Sequence, residues 1–168
     1  LDLDLRRPVQ NEFFGITVSK NHDLGALLAA GASPADILDA AVIDPETGMS
    51  TLLSARSCAD MIELIASPTL AQVIALARSR YDYVILDSPP LGYFADCELL
   101  SDLSDASVLV VRQDVVPAPE INDAIDALRA GKAEFLGCIL NDMRHLRSHL
   151  GGYGYGYGYG YGKHRKKK

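Results

Sequence analysis

Tyr81-Asp82-Tyr83-Val84-Ile85-Leu86-Asp87-Ser88-Pro89-Pro90 places four consecutive apolar residues before an aspartate and a double proline. A short apolar run of this kind is typical of a strand that is buried on both faces, and the prolines prevent it from continuing. In a parallel sheet, ligands bind beyond the carboxyl ends of the strands, which is where Asp87 is expected. The structural alternative is an aspartate that only caps the turn after the strand.

A second acidic strand end is predicted at the start of the chain, in Leu1-Asp2-Leu3-Asp4-Leu5-Arg6-Arg7-Pro8. Asp2 and Asp4 are two residues apart in an extended chain, so their side chains project from one face about 7 Å apart. The alternative is a half-exposed edge strand. Arg6 and Arg7 count against that alternative, because they bring guanidinium groups to the same strand exit.

The remaining pattern alternates helical and extended stretches, which indicates an α/β fold with a parallel sheet covered by helices on both faces. Asn21 or Asp23 can cap a short helix that ends at Gly31, and Ser33-Pro34 begins the next one. Further helices are predicted over 59–65, 67–80, 96–103 and 119–130. Strands are predicted over 49–53, 108–111 and 135–140.

Composition supports one domain over residues 1–150, followed by a tail over residues 151–168. With 48% hydrophobic and 23% charged residues, the chain has enough apolar content for one core. The formal net charge of −6 includes +5 from the last six residues, so residues 1–162 carry −11. An acidic body argues against a general nucleic-acid partner. No apolar run approaches the roughly 18 residues that span a bilayer.

The tail alternates tyrosine with glycine and ends in Lys163-His164-Arg165-Lys166-Lys167-Lys168. Glycine at every second position makes ordering costly, so we expect a disordered tail with displayed tyrosine hydroxyls. Such tyrosines are either stacking surfaces or substrates. They are Tyr153, Tyr155, Tyr157, Tyr159 and Tyr161.

The three cysteines are Cys58, Cys97 and Cys138, and they are widely spaced. Their odd number and the absence of a C-x-x-C pair predict reduced core residues of a cytoplasmic protein rather than a disulfide or a metal site.

Together, these motifs resemble those of the bacterial tyrosine kinases, the P-loop autokinases of capsular and exopolysaccharide export. Residues 1–8 resemble the family's Walker A′ motif, and residues 81–90 resemble its Walker B segment. The stretch 106–112, the strand 137–141 and the terminal tyrosine cluster follow in the family's order. The resemblance covers nearly the whole chain, as the C-terminal portion of the kinase domain from Walker A′ onward.

The resemblance implies ATP-dependent phosphorylation of the chain's own C-terminal tyrosines, mostly between neighbouring subunits of a ring. Asp2, Asp4 and Asp87 would be catalytic, and Asp4 and Asp87 would hold Mg²⁺ that is bound to ATP. Arg6 would contact the phosphates and Asn141 the adenine, although Asn141 reads equally well as a polar residue that ends a strand. Arg112 is expected to serve structure or charge balance.

The resemblance also implies partners and a location. These are a membrane-embedded polysaccharide co-polymerase segment or adaptor, a cognate tyrosine phosphatase, and the cytoplasmic side of the bacterial plasma membrane. The family's G-x-x-x-x-G-K-[ST] loop is absent from the sequence. We therefore expect an N-terminally truncated P-loop domain that is inactive by itself. A pseudokinase stays open.

Two other classes stay open as well. A partitioning or cell-division ATPase of the same P-loop branch would share the acidic strand ends, but it would have no use for five clustered tyrosines. A non-enzymatic interaction module could self-associate through its tail or stack it on single-stranded nucleic acid. The acidic body argues against this module.

Overall fold

The computed structural model describes residues 1–58, 60–91 and 96–143, and in these residues helices and short strands alternate as the sequence predicts. None of the described helices is long and apolar enough to cross a membrane. The helices are α1 (Gln10–Phe13), α2 (Leu24–Ala29), α3 (Pro34–Asp39), α4 (Met61–Ile65), α5 (Pro68–Arg80), α6 (Asp96–Asp102) and α7 (Ala118–Ala130), with a 3-10 turn at Lys20–His22. The strands are β1 (Val42–Ile43), β2 (Ser50–Thr51), β3 (Ala106–Arg112) and β4 (Glu134–Asn141).

Three helices begin at the caps that the sequence predicts. The Asp23 side chain accepts the amide of the third residue after it at the start of α2. Ser33 and Ser67 do the same for α3 and α5, each followed by a proline at the first helical position. One apolar stripe of α5 is fully buried, and it consists of Leu70, Val73, Ile74 and Ala77.

The longest strands, β3 and β4, pair in parallel and are joined by α7. This βαβ arrangement confirms the parallel sheet that the alternation of patterns indicates. The register shifts between Ser107 and Val108, opposite Gly137, whose φ of +136° favours glycine. On one side the strands contact α7, where the Arg129 guanidinium lies 5.7 Å from the centre of the Phe135 ring.

The strand predicted over 49–53 is shorter in the structure. Only Ser50–Thr51 is a strand, and it pairs antiparallel with Val42–Ile43 in a hairpin that the sequence did not reveal. Leu52 and Leu53 then leave the hairpin, and their carbonyls accept amides from Asp2 at 2.9 Å and Leu24 at 3.0 Å.

Residues 1–5 form an extended segment, here called the acidic segment, beside residues 83–87. The Asp87 amide donates to the Leu1 carbonyl, and the Leu3 amide donates to the Asp87 carbonyl, both at 2.9 Å. Asp2 and Asp87 are thereby opposite each other in an isolated parallel bridge. The strands predicted over 1–5 and 83–86 are wrong in extent, since one bridge does not make a ladder of successive pairs.

The prediction that helices cover both sheet faces is also wrong for the described residues. Along β3 exposed residues alternate with half-buried ones, and Val108 and Val110 are 45% and 60% exposed. Tyr83 and Ile85 are 89% and 70% exposed, whereas Val84 and Leu86 are half-buried against the core, so only one face of the apolar run before Asp87 is covered by described residues. Alternate side chains of an extended chain point to opposite faces, and only one face packs on described elements.

The buried core lies between the acidic segment and the helices α2, α3 and α5. Leu3 and Leu5 are fully buried in it, while the aspartates between the leucines point to the other side. Cys97 is buried and Cys58 half-buried, but Cys138 on β4 is exposed, so its assignment to the core was wrong. All three are free thiols.

Candidate active site

Asp2 is the most deeply buried member of an acidic cluster, with 2% of its surface exposed. Its Oδ2 accepts the Ser54 amide at 3.4 Å, and the Ser54 hydroxyl donates to the Asp2 carbonyl at 3.2 Å. Its Oδ1 is buried and has no hydrogen-bond partner among the described residues. A buried carboxylate oxygen without a partner is costly, and a bound cation or a proton would relieve that cost.

Asp87 stands opposite Asp2 and is held from a different element. The Gln10 side-chain amide at the start of α1 donates to Asp87 Oδ2 at 2.7 Å. Gln10 lies only five residues after the acidic segment. The chain therefore turns back after the segment and places the Gln10 side chain on Asp87, the carboxylate that the segment faces. Gln10 was not among the predicted site residues, because a glutamine in a helical turn gives no signal of its own.

Asp4 lies near the end of the acidic segment and shapes the turn that follows it. Its Oδ1 accepts the Arg7 amide at 3.0 Å, a side-chain to backbone contact typical of an aspartate in a turn. Asp4 is half-buried, whereas Asp2 is buried. The aspartates therefore present one enclosed and one accessible carboxylate on the same side of the segment.

The pKa of Asp2 reflects its burial and the charges around it. Burial, helped by the negative charges of Asp87 and Asp4, raises the pKa of Asp2 to about 6, although backbone hydrogen bonds from Ser54 and Asp4 oppose the rise. A carboxyl with a pKa near neutrality, beside two other carboxylates, is a common sign of a functional site.

Arg6 forms an ion pair with Asp96. Its Nε donates to Asp96 Oδ2 at 2.8 Å and its Nη2 to Oδ1 at 3.2 Å. Asp96 begins α6 and is completely buried. The role predicted for Arg6 at the phosphates thus stays a prediction, and what the structure assigns to this guanidinium is a contact with Asp96. No sequence signal pointed to this contact, since an aspartate at a helix start resembles an ordinary cap.

Cys97 follows Asp96 and holds the loop after Asp87. Its Sγ lies 2.6 Å from the Pro89 carbonyl and 3.6 Å from the Ser88 hydroxyl. Burial raises the pKa of the Cys97 thiol, which keeps it protonated as the donor in this contact.

Asn141 lies at the carboxyl end of β4, opposite Arg112. Its side-chain oxygen accepts the Asp142 amide at 2.8 Å, and Arg112 forms an ion pair with Asp142. This contact agrees with the role in structure or charge balance that is predicted for Arg112. No contact between described residues joins Asn141 to the acidic cluster, so its place at an adenine stays a prediction.

Metal binding by Asp4 and Asp87 also stays a prediction. In residues 1–58, 60–91 and 96–143, no three or more histidines, cysteines or acids are arranged to hold a metal ion. A magnesium ion that bridges phosphates needs only one or two protein carboxylates, so the pair is compatible with it. A cavity of 530 Å³ borders Asp2, Asp87, Gln10 and Phe14.

The predicted phosphoacceptors lie outside the described residues, as does the whole tail over 151–168. These residues are Tyr153, Tyr155, Tyr157, Tyr159 and Tyr161.

Comparison with known proteins gives consistent relatives, although no protein-family model matches the chain. The tyrosine-protein kinase YwqD of Bacillus subtilis is 30% identical over 162 residues, which cover 91% of this chain and 62% of YwqD. The succinoglycan biosynthesis transport protein ExoP of Rhizobium meliloti is 30% identical over 152 residues, covering 87% of this chain and 19% of ExoP. The kinase domain of the Escherichia coli tyrosine kinase ETK matches with a TM-score of 0.78 at 26% identity, covering 93% of this chain and 59% of that domain. The chain thus spans less than two thirds of each of these relatives.

Proposed function

Because the chain belongs to the bacterial tyrosine kinase family, we propose that it forms the acidic half of the active site of a protein-tyrosine autokinase. The observation that carries the proposal is the parallel bridge that sets Asp2 beside Asp87, with Asp4 at the exit of the same segment. These are the three aspartates of the two Walker-like motifs, and they come from distant parts of the chain.

The donor set fits Mg²⁺ bound to ATP. Asp87 and Asp4 offer carboxylates, the hard oxygen ligands that this ion prefers, and they lie near Asp2 Oδ1, a buried oxygen with no hydrogen-bond partner among the described residues. Asp4 and Asp87 would hold the ion, which when bound would neutralise charge on the transferring phosphoryl group. Arg6 and Asn141 remain our candidates for contacts to the nucleotide.

The carboxylates themselves would act on the acceptor tyrosine. A phenol with a pKa near 10 is almost wholly protonated at neutral pH, so a carboxylate helps by orienting the hydroxyl and taking its proton late. Asp2 suits this task because its pKa of about 6 leaves it mostly ionised at pH 7 and yet a better base than an ordinary aspartate. Phosphoryl transfer otherwise depends on positioning and charge neutralisation.

The acceptors proposed here are the five clustered tyrosines 153, 155, 157, 159 and 161. A stretch of twelve residues, 151–162, spans about 40 Å when fully extended and roughly 20 Å as a random coil. That reach permits delivery to a neighbouring subunit of a ring. Phosphorylation between subunits would couple the state of the tail to assembly.

The phosphate-binding loop would come from a segment outside the 168 residues, because the sequence contains no G-x-x-x-x-G-K-[ST]. We therefore expect these residues alone to be inactive. YwqD, ExoP and ETK all extend beyond the part that matches this chain, which leaves room for such a segment.

The biological role we propose is control of exopolysaccharide or capsule polymerisation and export from the cytoplasmic face of the plasma membrane. ExoP supports it, since that relative is named as a succinoglycan biosynthesis transport protein. The expected partners are a membrane-embedded co-polymerase segment or adaptor and a tyrosine phosphatase.

The proposal is tested with the intact protein that contains these residues, incubated with ATP labelled at the γ-phosphate. We expect label on tyrosine in the wild type and none in Asp87→Asn, while Asp39→Asn, a change in an exposed ion pair with Arg80, keeps it. Release of labelled phosphate without labelled protein would instead indicate a switch ATPase. Neither product would indicate a pseudokinase or an interaction module.

A further inference from the structure

Two adjacent residues at the start of α6, Asp96 and Cys97, hold the exits of both acidic motifs. From this arrangement we propose that Asp96 is a positioning residue for the kinase reaction. It would act through Arg6 to fix the acidic segment against Asp87, without touching substrate or metal. The inference deepens the proposed function and rests on it for its catalytic part.

The Arg6–Asp96 pair differs from the other ion pairs of the described residues in its burial. Asp96 is completely buried and the Arg6 side chain is 25% exposed, whereas in the pair Arg78–Asp105 the side chains are 57% and 73% exposed. Both Asp96 oxygens accept from the guanidinium, at 2.8 Å and 3.2 Å. Two hydrogen bonds between planar groups fix orientation as well as distance.

The position of Arg6 transmits this constraint to the acidic segment. Arg6 lies between Leu5, which is buried in the core, and Arg7, whose amide donates to Asp4. Holding the Arg6 side chain therefore fixes the turn that Asp4 shapes. The Leu3 amide donates to the Asp87 carbonyl, so a fixed acidic segment also keeps Asp2 opposite Asp87.

Cys97, the residue after Asp96, contacts the second acidic motif. Cys97 contacts the Pro89 carbonyl at 2.6 Å, in the loop that leaves Asp87. One helix start thus holds the two chain segments whose aspartates must meet. Loss of Asp96 should let the acidic segment move relative to Asp87 while the core under Leu3 and Leu5 stays packed.

The first experiment measures hydrogen exchange in the 168-residue chain and needs no kinase activity. The Leu3 and Asp87 amides report the pairing, because each donates across it, and the Val73 amide in α5 reports the core. In Asp96→Asn, we expect the exchange rates of Leu3 and Asp87 to rise at least about tenfold relative to Val73.

The control for that experiment is Ile74→Val, a change in the buried stripe of α5 that destabilises the core without touching the pair. It should leave the ratio of exchange rates unchanged. If Asp96→Asn does not fold, Arg6→Lys takes its place, since lysine keeps the charge but loses the two-pronged contact. An unchanged ratio in the variant that folds overturns the inference.

The second experiment measures kinase activity in the intact protein, well below the unfolding temperature of each variant. We expect kcat to fall on the order of 10-fold to 100-fold in Asp96→Asn, as for outer residues that orient a metal site. Replacing both partners, with Arg6→Met and Asp96→Leu, removes the buried charge and should recover stability but not kcat.

Recovery of wild-type kcat in that double variant would mean that the pair only stabilises the fold, and would overturn the inference. If the wild-type protein has no kinase activity at all, the proposed function fails. The exchange experiment then still decides whether Asp96 holds the acidic segment.

Discussion

Asp2 and Asp87 face each other in a parallel backbone bridge, with the Leu3 and Asp87 amides donating across it at 2.9 Å. Burial is the main reason that the pKa of Asp2 rises to about 6, and the negative charge of Asp87, which the pairing brings close, adds to the rise. Two carboxylates this close together destabilise the fold, and such arrangements are common at functional sites.

Because of this cost, the free energy of unfolding depends on pH. Because the pKa of Asp2 is about 6 in the folded chain and 3.8 ordinarily, the folded state binds the proton more tightly. The free energy of unfolding that this residue contributes therefore falls as pH rises from about 4 to 6. Asp2→Asn should be more stable than the wild type above pH 6, on the order of 2 kcal/mol, with a smaller difference near pH 4.

Urea unfolding at pH 8 and pH 4.5 measures this difference. Asp44 and Asp102, whose pKa values are lowered by hydrogen bonds from Thr47 and Lys132, titrate in both proteins and cancel. Asp39→Asn is the matched control and should show no such pH dependence relative to the wild type. A destabilised Asp2→Asn at both pH values would contradict the prediction.

The accessible carboxylates should be needed for activity and dispensable for folding. Asp4→Asn and Asp87→Asn keep side-chain volume and one acceptor oxygen, so the contacts to Arg7 and Gln10 can persist. We expect autophosphorylation of the intact protein to fall at least about 100-fold in each. Circular dichroism and thermal unfolding should change little. Wild-type phosphotyrosine in both variants would show that these aspartates are structural.

The 168 residues alone should bind ATP poorly. The sequence offers no glycine-rich loop whose amides could surround the phosphates and no lysine in such a loop. Calorimetry with Mg-ATP should give no heat of binding at micromolar concentrations. Micromolar affinity would show that other residues of this chain hold the nucleotide.

Phosphorylation of the tail should act as an electrostatic switch. Each phosphate adds about −1.5 to −2 charges, so five would add about −8 to −10 and exceed the +5 of the final six residues. Repulsion among tails and from the acidic body should loosen assembly of the intact protein. Sedimentation should show ATP-dependent dissociation in the wild type and none when all five tyrosines are changed to phenylalanine. Equal assembly of the phosphorylated and five-phenylalanine forms would refute the switch.

Local chemistry made much of the fold predictable. The serine-proline pairs at Ser33 and Ser67 set helix starts because capping and the fixed φ of proline act within one turn. The helix over 67–80 and the apolar runs of β3 and β4 were likewise evident from periodicity. The parallel pairing followed from their separation by a helix.

What the sequence could not predict depends on contacts between distant segments. The run before Asp87 looked buried, but exposure of Tyr83 and Ile85 depends on which elements lie over that face. For the candidate site, the three aspartates were evident as motif residues. The contact of the Arg6 side chain with Asp96 was not evident from the sequence, because Asp96 lies 90 residues away in the chain.

We expect these aspartates to support transfer of the γ-phosphoryl group of ATP to the tyrosine cluster of another copy. The most direct test mixes two forms of the intact protein with ATP: Asp87→Asn with its tail intact, and an active form with all five tail tyrosines changed to phenylalanine. Mass spectrometry should find phosphate on several tail tyrosines of the Asp87→Asn form, at positions 153, 155, 157, 159 and 161, and none when that form is incubated alone. Phosphate only on body tyrosines such as Tyr81 or Tyr93, or none on the Asp87→Asn form in the mixture, would contradict the account.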